Sequence, residues 1–144
     1  MTDCVRKGAY QLLIKLDQPA AIQIGRLGEF RFAGGYYVYT GSAMGGIEQR
    51  VARHLSKTKR FHWHIDYLLE HGRVILYAIR ESSARRECEF SSTMLEMDGA
   101  SVPVKGFGSS DCGCVSHLVY FEKRPRKLSV ETASELRADS RQPV

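Results

Sequence analysis

The sequence lacks any run of apolar residues long enough to cross a membrane, and its start, MTDCVRKGAY, has no apolar signal core. A membrane span needs about 18 such residues in succession, and a secretory signal needs an apolar segment behind a basic start. The sequence also shows no internal repeat, which excludes a repeat architecture. We therefore expect a cytoplasmic protein with no membrane partner.

Cysteine is scarce as well, with four residues in a chain of 144, and their spacing is not that of a secreted disulfide framework. In a reducing compartment these cysteines would be free thiols or metal ligands. A chain of this length buries roughly 68% of the surface that its unfolded form exposes. The fold therefore requires neither disulfides nor a metal to close its core.

The composition, 43% hydrophobic and 26% charged, is that of one soluble α/β or α+β domain and excludes a large multidomain protein. The formal net charge of +5 is compatible with a polyanionic partner. Residues 50–60 carry five basic residues and no acid, and residues 123–144 carry six basic and three acidic residues. We expect the first segment to contact phosphate. We expect the second to be a basic, flexible tail behind a folded domain of residues 1–122.

Short segments rich in apolar and aromatic residues predict strands over residues 8–16, 21–25, 29–32, 36–41, 73–80 and 117–122. Ile47, Val51 and Leu55 recur at the spacing of one helix face and predict a helix over residues 46–55. Two more helices are expected over residues 62–71 and 84–97, the second capped by Ser82 or Ser83. This order predicts an α/β (α+β) fold with a mixed, mainly antiparallel central sheet flanked by helices and an extra N-terminal hairpin.

Two tripeptides stand on predicted strands, GAY at residues 8–10 and YTG at residues 39–41, and Arg50 and Glu87 follow on later helices. This order, with the segments YYVYTGSAMGGIEQRVARHL, HWHIDYLL and GFGSSDCGCVSHL, resembles a GIY-YIG nuclease domain. It is most similar to the small Uri-type branch, named for its likeness to UvrC and intron-encoded endonucleases. The resemblance covers about residues 8–122, with Ala9 and Thr40 in place of the isoleucines of the family name.

The resemblance implies a catalytic set of Tyr10, Tyr39, Arg50, His54 and Glu87. Arg50 would grip a phosphodiester and stabilise its transition state. Glu87 would bind Mg²⁺ or Mn²⁺ together with waters and phosphate oxygens. The general base stays open, because the resemblance points to Tyr10 or Tyr39, whereas an imidazole titrates near neutrality and favours His54.

The sequence leaves alternatives around this set. Glu89 becomes the metal ligand if the register of the third helix differs from the expected one, and Glu87 could instead pair with Arg86. The expected nucleic-acid contacts are Ser42, Arg53, Lys57, Lys59 and Arg60, although Ser42 stands where some UvrC-type members carry a lysine.

A secondary polar site is expected from His62, His64, Asp66, Asp111, Cys112, Cys114 and His117. The last three have the spacing of zinc ligands. A structural zinc site needs four ligands, however, and only Cys88 or a distant histidine could complete it. We therefore do not expect a structural zinc ion.

Together these features lead to the hypothesis of an Mg²⁺-dependent endonuclease that hydrolyses DNA phosphodiester bonds. The strandedness of the DNA is left open, and RNA remains an alternative substrate because the phosphate chemistry is shared. A non-catalytic nucleic-acid-binding module on the same scaffold is the second hypothesis. An isolated acid facing phosphate would serve no purpose in such a module.

Overall fold

The computed structural model describes residues 6–56, 61, 63–109 and 112–130. These residues form six strands and three helices in the order β1 (Gly8–Leu16), β2 (Ala20–Ile24), β3 (Gly28–Phe32), β4 (Gly35–Ala43), α1 (Ile47–Leu55), α2 (His64–Leu69), β5 (Arg73–Glu81), α3 (Glu87–Leu95) and β6 (Leu118–Phe121).

The central sheet has the strand order β5-β1-β4-β6, and its neighbouring strands all run antiparallel. Strands β2 and β3 form a separate two-stranded sheet. The predicted α+β class and the extra hairpin are therefore confirmed. The hairpin packs beside the central sheet and adds no strand to it.

Both faces of the central sheet are buried, which explains why β1 is buried along nearly its whole length, Gln11 included, instead of alternating between buried and exposed residues. Along β1, Tyr10, Leu12 and Ile14 point to a core shared with α1, α2 and the β2–β3 hairpin. Ala9 and Leu13 point to a second core shared with α3. The first helices and α3 therefore cover opposite faces of one sheet.

Helix α1 begins as predicted, but its buried residues are Ile47, Val51 and His54, while Leu55 is 36% exposed. At about 100° per residue, four and seven steps return to within about 40° of the starting direction, whereas eight steps end about 80° away. The expected burial of Leu55 was wrong for this reason. A histidine occupies the core position, with a hydrogen bond to satisfy it.

Helices α2 and α3 are shorter than expected. Helix α2 ends before Gly72, whose N–H donates to the Leu68 carbonyl. Helix α3 begins at Glu87 behind Arg86, without a side-chain cap. The Ser82 hydroxyl instead accepts a hydrogen bond from the Ala84 N–H at 3.1 Å, in a local turn that precedes the helix.

The segment after β6 corrects the expected start of the tail at Lys123. Leu128 and Val130 are buried in the core beneath α3, and the Ser129 hydroxyl donates to the Phe90 carbonyl at 2.6 Å. The Val130 N–H donates to Oε1 of the buried Gln11 on β1 at 2.9 Å. The folded part thus extends to Val130, and the rest of the predicted tail, residues 131–144, lies outside the described residues. None of the described helices is long and apolar enough to cross a membrane.

Candidate active site

A cleft of about 630 Å³ opens where β1, β4, α1 and α3 meet the loop of residues 96–117 that connects α3 to β6. Four of the five residues in the predicted catalytic set line it. The lining residues are Tyr10, Tyr39, Gly41, Ser42, Met44, Gly45, Arg50, Trp63, His64, Arg85, Glu87, Gly108, Cys112 and His117.

The two tyrosines lie side by side on neighbouring strands, with ring centroids 6.2 Å apart. The antiparallel register sets Tyr10 opposite Gly41. A Cβ atom at Gly41 would lie 2.5 Å from Cζ of Tyr10, closer than real side-chain contacts allow. The glycine of the YTG tripeptide therefore provides the space in which the Tyr10 ring lies.

His54 lies behind the wall of the cleft. Its Nε2 atom is 2.7 Å from the Tyr10 hydroxyl, and its ring packs edge-on against Tyr39 and Trp63. The side chain is buried and does not line the cleft. Of the three candidates for the general base, the two tyrosines line the cleft, whereas His54 is connected to it by its hydrogen bond to the Tyr10 hydroxyl.

Both tyrosines are held in the neutral form. Burial raises the pKa of Tyr10 well above its usual value, and the neighbouring Tyr39 adds to this effect. Burial also raises the pKa of Tyr39 to about 12. The charge of Arg50 acts in the opposite direction on both groups, which makes it the residue that favours their ionised forms.

Arg50 is held at the cleft without a carboxylate partner among the described residues. Its Nη1 donates to the Ser42 carbonyl at 3.1 Å, and its guanidinium stacks over the Trp63 ring at 4.5 Å. A neutral hydrogen bond and an aromatic face orient the side chain while leaving its charge uncompensated. The guanidinium is therefore available to an anion.

Arg53, which was expected to contact nucleic acid, is paired with a carboxylate inside the protein. Its two terminal nitrogens donate to the two oxygens of Asp66 at 2.9 and 3.0 Å, and its guanidinium also lies over the Trp63 ring, 4.3 Å from the ring centroid. Asp66 is fully buried and also accepts the Trp63 N–H at 2.9 Å. Arg53 and Asp66 thus join α1 to the start of α2.

Glu87 presents an unsatisfied acceptor to the cleft. Its Oε1 atom is buried and has no hydrogen-bond partner among the described residues. The alternative metal ligand Glu89 accepts hydrogen bonds from Nε and Nη2 of Arg86, at 2.9 and 2.7 Å. Arg86 therefore pairs with Glu89 and not with Glu87. A single carboxylate with a free oxygen at the edge of an open cleft fits the needs of Mg²⁺, which keeps several waters.

Part of the predicted secondary polar site also comes together. The ligand atoms of Cys112, Cys114 and His117 lie within 4.8 Å of one another and of the Cys88 sulfur. Burial raises the pKa of the Cys88 and Cys114 thiols and lowers that of His117. His64 lies apart from this group, where Nδ1 accepts the Gly108 N–H at 2.9 Å, and burial lowers its pKa.

The sequence reasoning missed several residues of the cleft. Trp63 is the one tryptophan of the chain and orients both arginines of α1, but nothing in its spacing predicts that contact. Gly108, at φ +70°, brings the backbone against the Tyr39 ring. Lys57, Lys59, Arg60, His62 and Asp111 lie outside the described residues, and their roles stay predictions.

The chain has no match among curated proteins or solved structures. A protein-family model described as a domain of unknown function, DUF123, matches residues 9–138 and therefore spans β1 to the segment beyond Val130. The chain belongs to the DUF123 family.

Proposed function

We propose that this protein is a metal-dependent endonuclease that hydrolyses phosphodiester bonds of DNA. The proposal rests on one observation: a basic and an acidic side chain line the same cleft, and each lacks a partner of opposite charge among the described residues. Within the part of the chain that the structure describes, Arg50 has no carboxylate partner, and the buried Oε1 of Glu87 has no hydrogen-bond donor. A phosphodiester and a divalent cation together would satisfy both groups.

Arg50 would bind the scissile phosphate. Its guanidinium is oriented by Trp63 and the Ser42 carbonyl, so little reorganisation is required when the phosphate gains negative charge. Stabilisation of this kind acts on the transition state more than on the bound substrate.

Glu87 would hold Mg²⁺ or Mn²⁺ through its free carboxylate oxygen. An ion bound there supplies charge neutralisation at the phosphate. The position of Glu87 on the first turn of α3 leaves the remaining ligand positions to water and to phosphate oxygens.

The Tyr10 hydroxyl would orient the attacking water and accept its proton while its own proton passes to Nε2 of His54. The hydrogen bond of 2.7 Å provides this route. A tyrosine whose pKa is raised well above the usual value does not persist as a phenolate, so the two proton transfers must be coupled. Tyr39 would position the water beside it.

The test is a cleavage panel of single-stranded, double-stranded and branched DNA, and of matching RNA, with Mg²⁺ or Mn²⁺. Glu87→Gln and Arg50→Ala should each lower the rate by about 10²-fold or more. Glu89→Gln, on the same helix but paired with Arg86, is the matched control and should keep the rate. Folded protein that cuts none of these substrates would exclude the proposal.

The second candidate is a nucleic-acid-binding module without turnover. Its supporting observation is the same uncompensated Arg50, which can grip phosphate without any metal. Binding that is insensitive to divalent ions and to Glu87→Gln, in the absence of cleavage, would favour this candidate. Preferential cutting of the RNA substrates would assign the nuclease to RNA.

A further inference from the structure

Three cysteines and one histidine converge beside the cleft, from two elements far apart in the sequence. Cys88 lies in the first turn of α3, and Cys112, Cys114 and His117 lie at the end of the loop before β6. Their four ligand atoms all lie within 4.8 Å of one another. Cys88, which the sequence offered as one way to complete a zinc site, lies beside the other three ligands, contrary to the expectation of no structural zinc.

Two distances within this Cys88–Cys112–Cys114–His117 cluster match those of a tetrahedral zinc site. With Zn–S near 2.3 Å and Zn–N near 2.0 Å, tetrahedral geometry separates a sulfur from the nitrogen by about 3.5 Å. The Nε2 atom of His117 is 3.5 Å from the sulfur of Cys88 and 3.5 Å from that of Cys112. Sulfur and imidazole ligands in this number favour Zn²⁺ over the oxygen-seeking Mg²⁺.

The surroundings of His117 suit a zinc ligand as well. Its side chain is buried, and Nε2 faces the two sulfurs. The backbone N–H of His117 donates to the Phe107 carbonyl at 2.8 Å, which holds this ligand in place at the end of the loop. The three cysteines are not paired in disulfides.

We propose that Cys88, Cys112, Cys114 and His117 bind one structural Zn²⁺ ion. All four positions of the ion would be filled by the protein, so the site is closed to substrate. The ion would fasten the first turn of α3, which has no side-chain cap, to the loop that precedes β6. This site is separate from the Glu87 carboxylate, which is not among its four ligands.

In the first experiment, inductively coupled plasma mass spectrometry measures the metal content of the full chain after loosely bound ions have been removed. We expect one zinc per chain, and loss of most of it in Cys88→Ser and in Cys112→Ser. Cys4→Ser is the matched control and should keep the zinc. Metal content well below one per chain in folded protein, or unchanged zinc in both cluster variants, would overturn the proposal.

A second measurement does not depend on whether the variants fold. Wild-type protein stripped of metal and titrated with Co²⁺ should develop the intense visible absorption of tetrahedral cobalt bound to thiolates, which Zn²⁺ then removes. Zinc removal should also lower the midpoint of thermal unfolding by several degrees, and added zinc should restore it. An octahedral cobalt spectrum, or a disulfide between cluster cysteines in protein kept reduced, would contradict the site.

These outcomes are independent of the proposed nuclease activity. Stoichiometric zinc in a protein without cleavage would support the zinc site and reject the nuclease. Magnesium-dependent cleavage by a protein free of zinc would support the nuclease and reject the zinc site.

Discussion

The Tyr10 hydroxyl and Nε2 of His54 lie 2.7 Å apart in the core, with Tyr10 on the cleft and His54 behind it. In the proposed mechanism, His54 takes part only through Tyr10, so both residues serve the same proton transfer. A double-mutant cycle tests that dependence.

We expect Tyr10→Phe and His54→Gln each to lower the cleavage rate by about 10²-fold, because each interrupts the same proton transfer. The double variant should be no slower than the slower single variant, since residues that act as a unit have non-additive effects. Single-turnover rates on the best substrate of the panel would measure this. Rate losses that multiply to about 10⁴-fold would show that the two residues act separately.

Gly41→Ala should cost about 2 kcal/mol of unfolding free energy and most of the activity, because the added Cβ meets the Tyr10 ring. Gly45→Ala is the matched control. Gly45 lines the same cleft, but a Cβ there would have no heavy atom within 4 Å. Urea unfolding and cleavage rates of the two variants would be compared. Equal effects at the two positions would argue against the packing explanation.

Arg53→Ala should destabilise the protein by about 3 kcal/mol, because it removes the bidentate partner of a fully buried carboxylate. Arg50→Ala should cost less than about 1 kcal/mol, since no described carboxylate pairs with Arg50. The variant Arg53→Leu combined with Asp66→Asn should recover part of the loss, because it removes both charges. These free energies can be read from urea unfolding followed by Trp63 fluorescence.

Alkaline pH should destabilise the fold through its buried tyrosines. Folding raises the pKa of Tyr39 to about 12, against about 10 in an unfolded chain. The stability that this group contributes is therefore complete below about pH 10 and is lost as the pH rises through 12. Tyr39→Phe should make the fall of unfolding free energy between about pH 10 and 12 less steep. An unchanged slope would mean that Tyr39 ionises without cost in the folded protein.

Leu128→Ala should lower the unfolding free energy by about 2 kcal/mol, because Leu128 is buried beneath α3. Leu55→Ala, at an exposed position of α1, should cost well under 1 kcal/mol. Chemical denaturation of both variants tests whether the segment after β6 belongs to the folded core. Equal, small losses of unfolding free energy in the two variants would show that this segment belongs to the solvated tail.

The sequence predicted most of the strands and helices, because alternation, apolar spacing and glycine punctuation are local patterns. These patterns do not specify which strands pair, and the structure shows that the strands of the two tripeptides are neighbours. The expected burial of Leu55 was wrong because eight helical steps turn its side chain away from the buried face, where His54 lies instead with its Nε2 bonded to Tyr10.

The remaining features depend on contacts between distant parts of the chain. Cys88 precedes His117 by 29 positions and lies on a helix, so no local ligand spacing connects the two. Arg53 and Asp66 lie 13 positions apart on different helices. Leu128 and Val130 are two apolar residues within a basic segment, and their burial depends on the core between α3 and the central sheet, which the sequence does not reveal.

Gln11 on β1 donates to the hydroxyls of Thr40 and Ser129 and accepts the Val130 N–H, across a separation of 119 positions. During synthesis on the ribosome, β1 and β4 can pair early, whereas the face of the sheet that α3 covers stays incomplete until Val130 has emerged. Contacts over such separations close slowly because of the entropy of the long loop. Until residues 128–130 are available, the core that contains Leu13 and Val38 therefore lacks part of its cover.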